Sequence, residues 1–165
     1  MKEFCLVLFC GLALLLTPPH AQSQGNAKKG PPTSLDSDLE KDSKHNLEVA
    51  RQYFKLKKAY VAALLRCEEV RAGHPDFSKI DEILFMAGES SWHLAAGEGK
   101  QSPSLYVIHD GTEKHTLTPQ EFREKARDYL SELVNDHPDS PFRKQAEEDL
   151  KELGGLKPKE NSSKQ

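Results

Sequence analysis

Histidines, a cysteine, serines and paired carboxylates are the side chains through which this chain could act on a substrate, and their spacing can be held against known mechanisms. Seven histidines are present. His109 and His115 flank Asp110-Gly111, close enough in sequence to meet across a hairpin. Neither an adjacent cysteine nor an HxxxH or HxxE pattern accompanies them, which a zinc site would ordinarily supply. His74 and His137 each stand before a proline, a helix-end position. Glu68-Glu69 and Glu147-Glu148-Asp149 read as charged helix faces, since nothing local sets two carboxyls in an apolar cleft with separated pKa values. Ser90-Ser91 lacks the GxSxG elbow, and Cys67 falls on an apolar helical stripe, where a thiol is inert. No glycine-rich loop is arranged to cradle phosphate. The expectation is a non-catalytic chain with no cofactor and no metal. The competing reading is a metal-dependent or hydrolytic accessory enzyme that uses the insertion histidines.

The elements that would position these residues are helices. Leu47, Ala50 and Phe54 recur at helical spacing, as do Tyr60, Ala63, Leu64, Cys67 and Val70 up to Gly73-His74-Pro75. Ser78 with Asp81 predicts a cap for a third helix carrying Ile83, Ala87, Ser90 and Leu94, with Trp92 as core filler. Thr118-Pro119-Gln120-Glu121 combines an N-cap threonine, proline at the first helical position and a capping-box glutamate. Phe122, Ala126, Leu130, Leu133 and Val134 follow, ending at His137-Pro138. A last helix from Ser140-Pro141 carries Ala146, Leu150 and Leu153 and stops at Gly154-Gly155.

Two of these segments repeat. Laying His74-Pro75-Asp76 on His137-Pro138-Asp139 puts Ala63 on Ala126, Cys67 on Leu130 and Val70 on Leu133, each 63 residues apart. Ile83 and Ala146 share that offset, and Ala50 precedes Ile83 by 33. A unit near 33 residues built of two helices has the tetratricopeptide period. Small residues let antiparallel backbones approach, larger ones at +4 and +7 fill the groove beside them, and the proline ends the second helix. The predicted repeat core is therefore Ala50, Tyr60, Ala63, Cys67, Val70, Pro75, Ile83, Ala87, Ala126, Leu130, Leu133, Pro138, Ala146 and Leu150.

Over roughly 46–97 and 119–153 the pattern resembles tetratricopeptide domains of the bacterial envelope, the BamD (YfiO)-like outer-membrane assembly proteins and the periplasmic repeat protein associated with Tol–Pal. The residues that carry it are Tyr60, Ala63, Cys67, Val70, His74-Pro75, Asp81-Glu82-Ile83 and Ala87-Gly88-Glu89-Ser90-Ser91-Trp92, with Ala126 through Pro138-Asp139-Ser140-Pro141 to Ala146 and Leu150. The resemblance implies a protein-binding scaffold and an association with outer-membrane assembly or Tol–Pal-like work. BamD-type proteins are lipoproteins with about five repeats; here Cys10 follows bulky Phe9 inside an apolar run, and two repeats with a trailing helix are legible.

The expected fold is all-α, a right-handed antiparallel helix-pair stack of about five helices over residues 43–153. Residues 98–118 form an insertion in it. Leu105-Tyr106-Val107-Ile108 and Thr112–Leu117 read as two strands around an Asp-Gly turn. A partner-docking hairpin and an ornamental loop are both open readings, because lone hairpins are marginal unless packed on something. Residues 1–23 have the basic, apolar and helix-breaking order of a signal peptide, with cleavage expected after Ser23 or after Ala21. The apolar run Phe4–Leu16 is too short to span a bilayer, which takes about 20 residues. Residues 24–42 read as a flexible leader and 154–165 as a disordered tail. The protein is expected to be exported, periplasmic or secreted.

A formal charge of −3 gives no basic field for nucleic acid. The expected partners are other envelope proteins or peptides, engaged without a transmembrane segment, with peripheral association to an outer-membrane complex as one mode. Partner-binding candidates are Glu48, Gln52 and Lys55, which face away from the Leu47/Ala50/Phe54 stripe, Glu82 and Glu89 on the next pair, and Tyr106 and Ile108 on the insertion. Self-association is a further expectation, since a repeat array without polar caps exposes apolar ends.

Overall fold

An apolar stripe with one residue per helical turn explains the first element. Leu39, Ser43, Leu47 and Ala50 turn to the same side of α1, which spans Ser34–Arg51 in the computed structural model, where residues 34–111 and 113–158 are described. Residues 34–42 were expected in a flexible leader. They are helical because the early turns of α1 have tertiary partners: Glu40 accepts from the Ser78 hydroxyl, and the Ser43 hydroxyl meets Nδ1 of His74 at 3.0 Å. The predicted signal peptide, residues 24–33 of the leader and residues 159–165 of the tail lie outside the described residues.

Helix α1 runs into a six-residue π-helical segment, Gln52–Lys57, closed by Lys58 in the left-handed region at φ 48°. Helices α2 (Tyr60–Gly73) and α3 (Ile80–Ala95) follow. The predicted Ser78 cap for α3 is not made, because that hydroxyl is committed to Glu40; Lys79 holds the N-cap position without a side-chain bond. After α3 come a 3-10 turn at Pro103–Leu105 and strands β1 (Val107–Asp110) and β2 (Glu113–Thr116). The strands pair antiparallel from Val107↔Thr116 to Asp110↔Glu113. Asp110 therefore ends β1 rather than sitting in the turn, and Gly111 supplies the positive φ there, 59°. Helix α4 (Pro119–Asp136) opens with the predicted capping box, Thr118 and Glu121 bonding reciprocally and Pro119 in the first turn. Helix α5 (Arg143–Glu152) completes five α-helices among the described residues, joined by one small hairpin.

Each helix packs on its neighbour in sequence, and polar bridges join alternate helices. Arg51 grips Glu82 with two bonds of 2.7 and 2.6 Å, linking α1 to α3. Arg71 reaches Glu132 at 2.7 Å, linking α2 to α4. Phe85 stacks on Phe142 with centroids 4.9 Å apart, and Ser140 donates to Asp81 at 2.8 Å, tying the start of α5 to α3. Individual side-chain bridges thus tie α1 to α3, α3 to the start of α5, and α2 to α4.

The core lies between these helices. Ala50, Tyr60, Ala63, Cys67, Val70, Ile83, Ala87, Ala126, Leu130, Leu133, Ala146 and Leu150 are all buried. Pro75 and Pro138, expected in the repeat core, are exposed: they end helices and fill no space in the interior. Beside the predicted alanine, Gly88 of α3 lies tight against α4: a Cβ there would come within 2.7 Å of the Leu130 side chain. The insertion starts by packing on the front of α2. Lys100 donates to the Lys58 carbonyl at 2.9 Å, and the Gln101 amide oxygen accepts from the Ala62 N–H at 3.0 Å, satisfying one of the orphan donors of α2. Gly99, at φ 95°, has no room for a side chain, since a Cβ would sit 2.7 Å from the Lys58 carbonyl.

Both flanking helices are one-sided. Buried positions on α1 are Ser43, Leu47 and Ala50, and on α5 Ala146 and Leu150, with charged residues facing out.

Candidate functional site

The seven candidate partner-binding residues separate into two groups. Glu48, Gln52 and Lys55 are exposed; Gln52 and Lys55 stand on the π-helical segment, and Glu48 pairs with Arg51. Glu82, Glu89 and Tyr106 are drawn inward. The Glu82 side chain is only 15% exposed under its clamp by Arg51. Ile108 is half-buried against the core. A charge on an amphipathic helix was expected to face solvent; here the alternate helix supplies a partner that a single-helix pattern cannot reveal.

Tyr106 belongs to the densest polar cluster of the described residues. The Glu68 carboxylate, expected on a solvated face, accepts from the Tyr106 hydroxyl at 2.8 and 2.9 Å and from the Tyr129 hydroxyl at 2.8 Å. Lys125 approaches it at 2.7 Å, with its ammonium 5.4 and 5.3 Å from the centroids of the two tyrosine rings. Burial, followed by the Glu68 charge, pushes both phenols well above their ordinary range. They are fixed as donors, and every polar group of the cluster holds another in place. Its consequence is anchorage of the insertion: Tyr106, edge-on to Phe122 at 5.5 Å, fastens the hairpin to α2 and α4.

A second cluster joins α3 to α5. Glu89 and Asp149 are hydrogen-bonded to each other, and both titrate above the ordinary carboxyl range. For Glu89 burial comes first and the Asp149 charge second, raising it to about 8. Burial is also the first cause at Asp149, with Glu152 and Glu148 adding to it. Glu89 Oε1 and Asp149 Oδ2 are buried without hydrogen-bond partners among the described residues. Asp149 was expected on a charged face; its partner lies 60 positions earlier in the chain.

The repeated turns meet. Residues 75–78 and 137–140 line one cleft of about 480 Å³, together with Ile80, Asp81 and Asp136. Equivalent positions 63 residues apart thus line a common concavity, a relation already legible in the His-Pro-Asp repeat.

The residues considered for chemistry are placed as follows. Ile108 pairs with His115 and His109 with Lys114, so the two imidazoles project from opposite faces of the ribbon and do not converge. Among the described residues no three His, Cys, Asp or Glu side chains are grouped to hold a metal ion. Ser91 donates to the Ala87 carbonyl at 2.8 Å, and Ser90 is fully buried. Burial drives the Cys67 thiol far above its usual range, away from the thiolate form. His93 stacks on Tyr60 at 4.2 Å and meets Glu98 at 2.6 Å. No family model, no curated protein and no solved structure matches this chain.

Proposed function

We propose that the chain is a non-catalytic protein-binding scaffold of the cell envelope, a right-handed tetratricopeptide-like stack of helix pairs that works after export and associates peripherally with an outer-membrane complex. The observation that supports this reading is the set of side-chain bridges between alternate helices, α1 to α3, α3 to the start of α5 and α2 to α4, in a chain whose sequence repeats at 33 and 63 residues. Helix-pair repeats arranged in this way leave an extended surface for peptides and partner helices. The side chains best suited to chemistry support the same reading: Glu68, Glu82 and Glu89 are taken up in bridges between helices, and Cys67 is buried. Among the described residues no helix is long and apolar enough to cross a membrane.

The exposed candidates Glu48, Gln52 and Lys55 form the face to test. Reversing charge at Glu48 and Lys55 together is expected to weaken capture of the envelope partner about tenfold, the equivalent of about 1.4 kcal/mol. Thermal unfolding should stay unchanged, since both side chains are solvated. Undiminished capture by that double variant would remove this face from the proposal.

A further inference from the structure

The segment after α5 does not dangle as expected for a disordered tail. Glu152 to Lys157 follows α4, held by side chains spaced four residues apart. Arg123 donates to the Glu152 carbonyl at 3.0 Å and Arg127 to the Gly155 carbonyl at 2.6 Å. The Ser131 hydroxyl accepts from the Lys157 N–H at 2.9 Å, and Asn135 donates to the Lys157 carbonyl at 3.0 Å. One face of α4 therefore reads the main chain of a peptide laid along it. The contacts specific to side chains are few. The Lys157 ammonium sits on Glu124 at 3.0 Å and on Asp128. Leu156 remains 45% exposed at the edge of a cleft of about 340 Å³ lined by Val134, Leu150, Arg143 and Glu147.

We propose that this ladder on α4 is a docking groove for an extended peptide of a partner protein in which a large apolar residue directly precedes a lysine or arginine, and that the chain's own tail is the resident competitor. The main-chain contacts accept any peptide backbone. The Glu124–Asp128 pair selects a cation at one position by charge complementarity. The residue before it meets a cleft that Leu156 leaves partly empty, so a bulkier apolar side chain fills it better. Release is built in: Gly154 and Gly155 stand at φ 99° and 92°, and Leu153 is the last buried residue before them. The tail can leave while α5 keeps its packing. A tethered competitor acts at an effective concentration of about millimolar, so it blocks weak ligands and yields to stronger ones.

The groove rests on the scaffold reading, and its test is independent of envelope partners. The probe is a labelled synthetic peptide, Gly-Gly-Phe-Lys-Pro-Lys, followed by fluorescence anisotropy. Lys157→Glu in the full chain loosens the tail and is expected to raise peptide affinity at least fivefold over the unmodified chain. Removing residues 154–165 should raise it at least tenfold, and Glu124→Lys with Asp128→Lys in that truncated chain should abolish binding. A peptide with glutamate in place of its first lysine should bind at least tenfold more weakly. Equal binding to the unmodified and Lys157→Glu chains, or indifference to the peptide's lysine, would overturn the groove. Failure here with envelope cross-links intact removes the groove alone and leaves the scaffold.

Discussion

Replacing Glu68 by alanine is expected to destabilise the protein by about 2–4 kcal/mol, less than for a fully buried charged pair because the Glu68 and Lys125 side chains keep 22% and 25% of their exposure. The loss has two parts. The Tyr106 and Tyr129 hydroxyls, on side chains nearly withdrawn from water, lose their acceptor, and each unmet buried donor costs about 1–3 kcal/mol. Lys125 keeps its charge beside two aromatic rings and loses its carboxylate. Glu68 is also the point at which Tyr106 holds the insertion, so the hairpin should loosen more than the helices. Trypsin cleavage after Lys114, exposed on β2, is expected to accelerate more than tenfold in Glu68→Ala. Glu68→Gln retains an acceptor for one hydroxyl and should recover part of the stability. Urea unfolding supplies the free energies; a cost below about 1 kcal/mol would place the cluster among ordinary surface ion pairs.

The second large effect depends on pH. Glu89 titrates near 8 in the folded chain against an ordinary value of 4.5. Between those values the folded state holds a proton that the unfolded state has released. Stability therefore falls as pH rises through this window, is fully present below about 4.5 and is lost once pH passes 8. The ceiling is about 1.4 kcal/mol per pH unit; screening at the partly exposed Glu89 carboxyl lowers the expected total to roughly 2 kcal/mol from pH 5 to 8.5. Asp149 faces Glu89 from α5, and Glu148 and Glu152 add to the negative field around Asp149, so the separation of α3 from α5 should carry this loss. Glu89→Gln keeps a hydrogen-bonding group and removes the proton, and should flatten the profile. Urea midpoints of the two proteins should converge at pH 5 and differ in favour of the variant at pH 8.5. Parallel profiles would show that Glu89 ionises freely.

Much of the helical framework was legible because periodic burial is a local signal. Leu47 and Ala50, Cys67 and Val70, and Leu130 and Leu133 face inward as their spacing indicates. The Thr118 capping box is likewise written within four residues. The polar clusters were not legible. Glu68 meets Tyr129, 61 residues away, and Arg51 meets Glu82, 31 residues away. On one helix each carboxylate looks like a solvated charge; only its bond to a side chain on a distant helix turns it inward. Glu89 turns inward for the same reason, and the link from Tyr106 on the insertion to Glu68, 38 residues away, is equally invisible to a local pattern. The placement of residues 154–158 was not legible because Gly-Gly and polar composition suggest disorder, whereas the ladder that holds them belongs to α4. The π-helical end of α1 has no sequence signature beyond Gln52 and Lys55 falling on an exposed face.

The scaffold reading is tested most directly by photo-cross-linking in the native envelope, with the probe placed in turn at Gln52, at Lys55 and at Lys144, a side chain 90% exposed on the outer face of α5. The account predicts one recurrent protein adduct from Gln52 and Lys55 and none of that mass from Lys144. Adducts of equal abundance from all three positions, or none from Gln52 and Lys55, would contradict it.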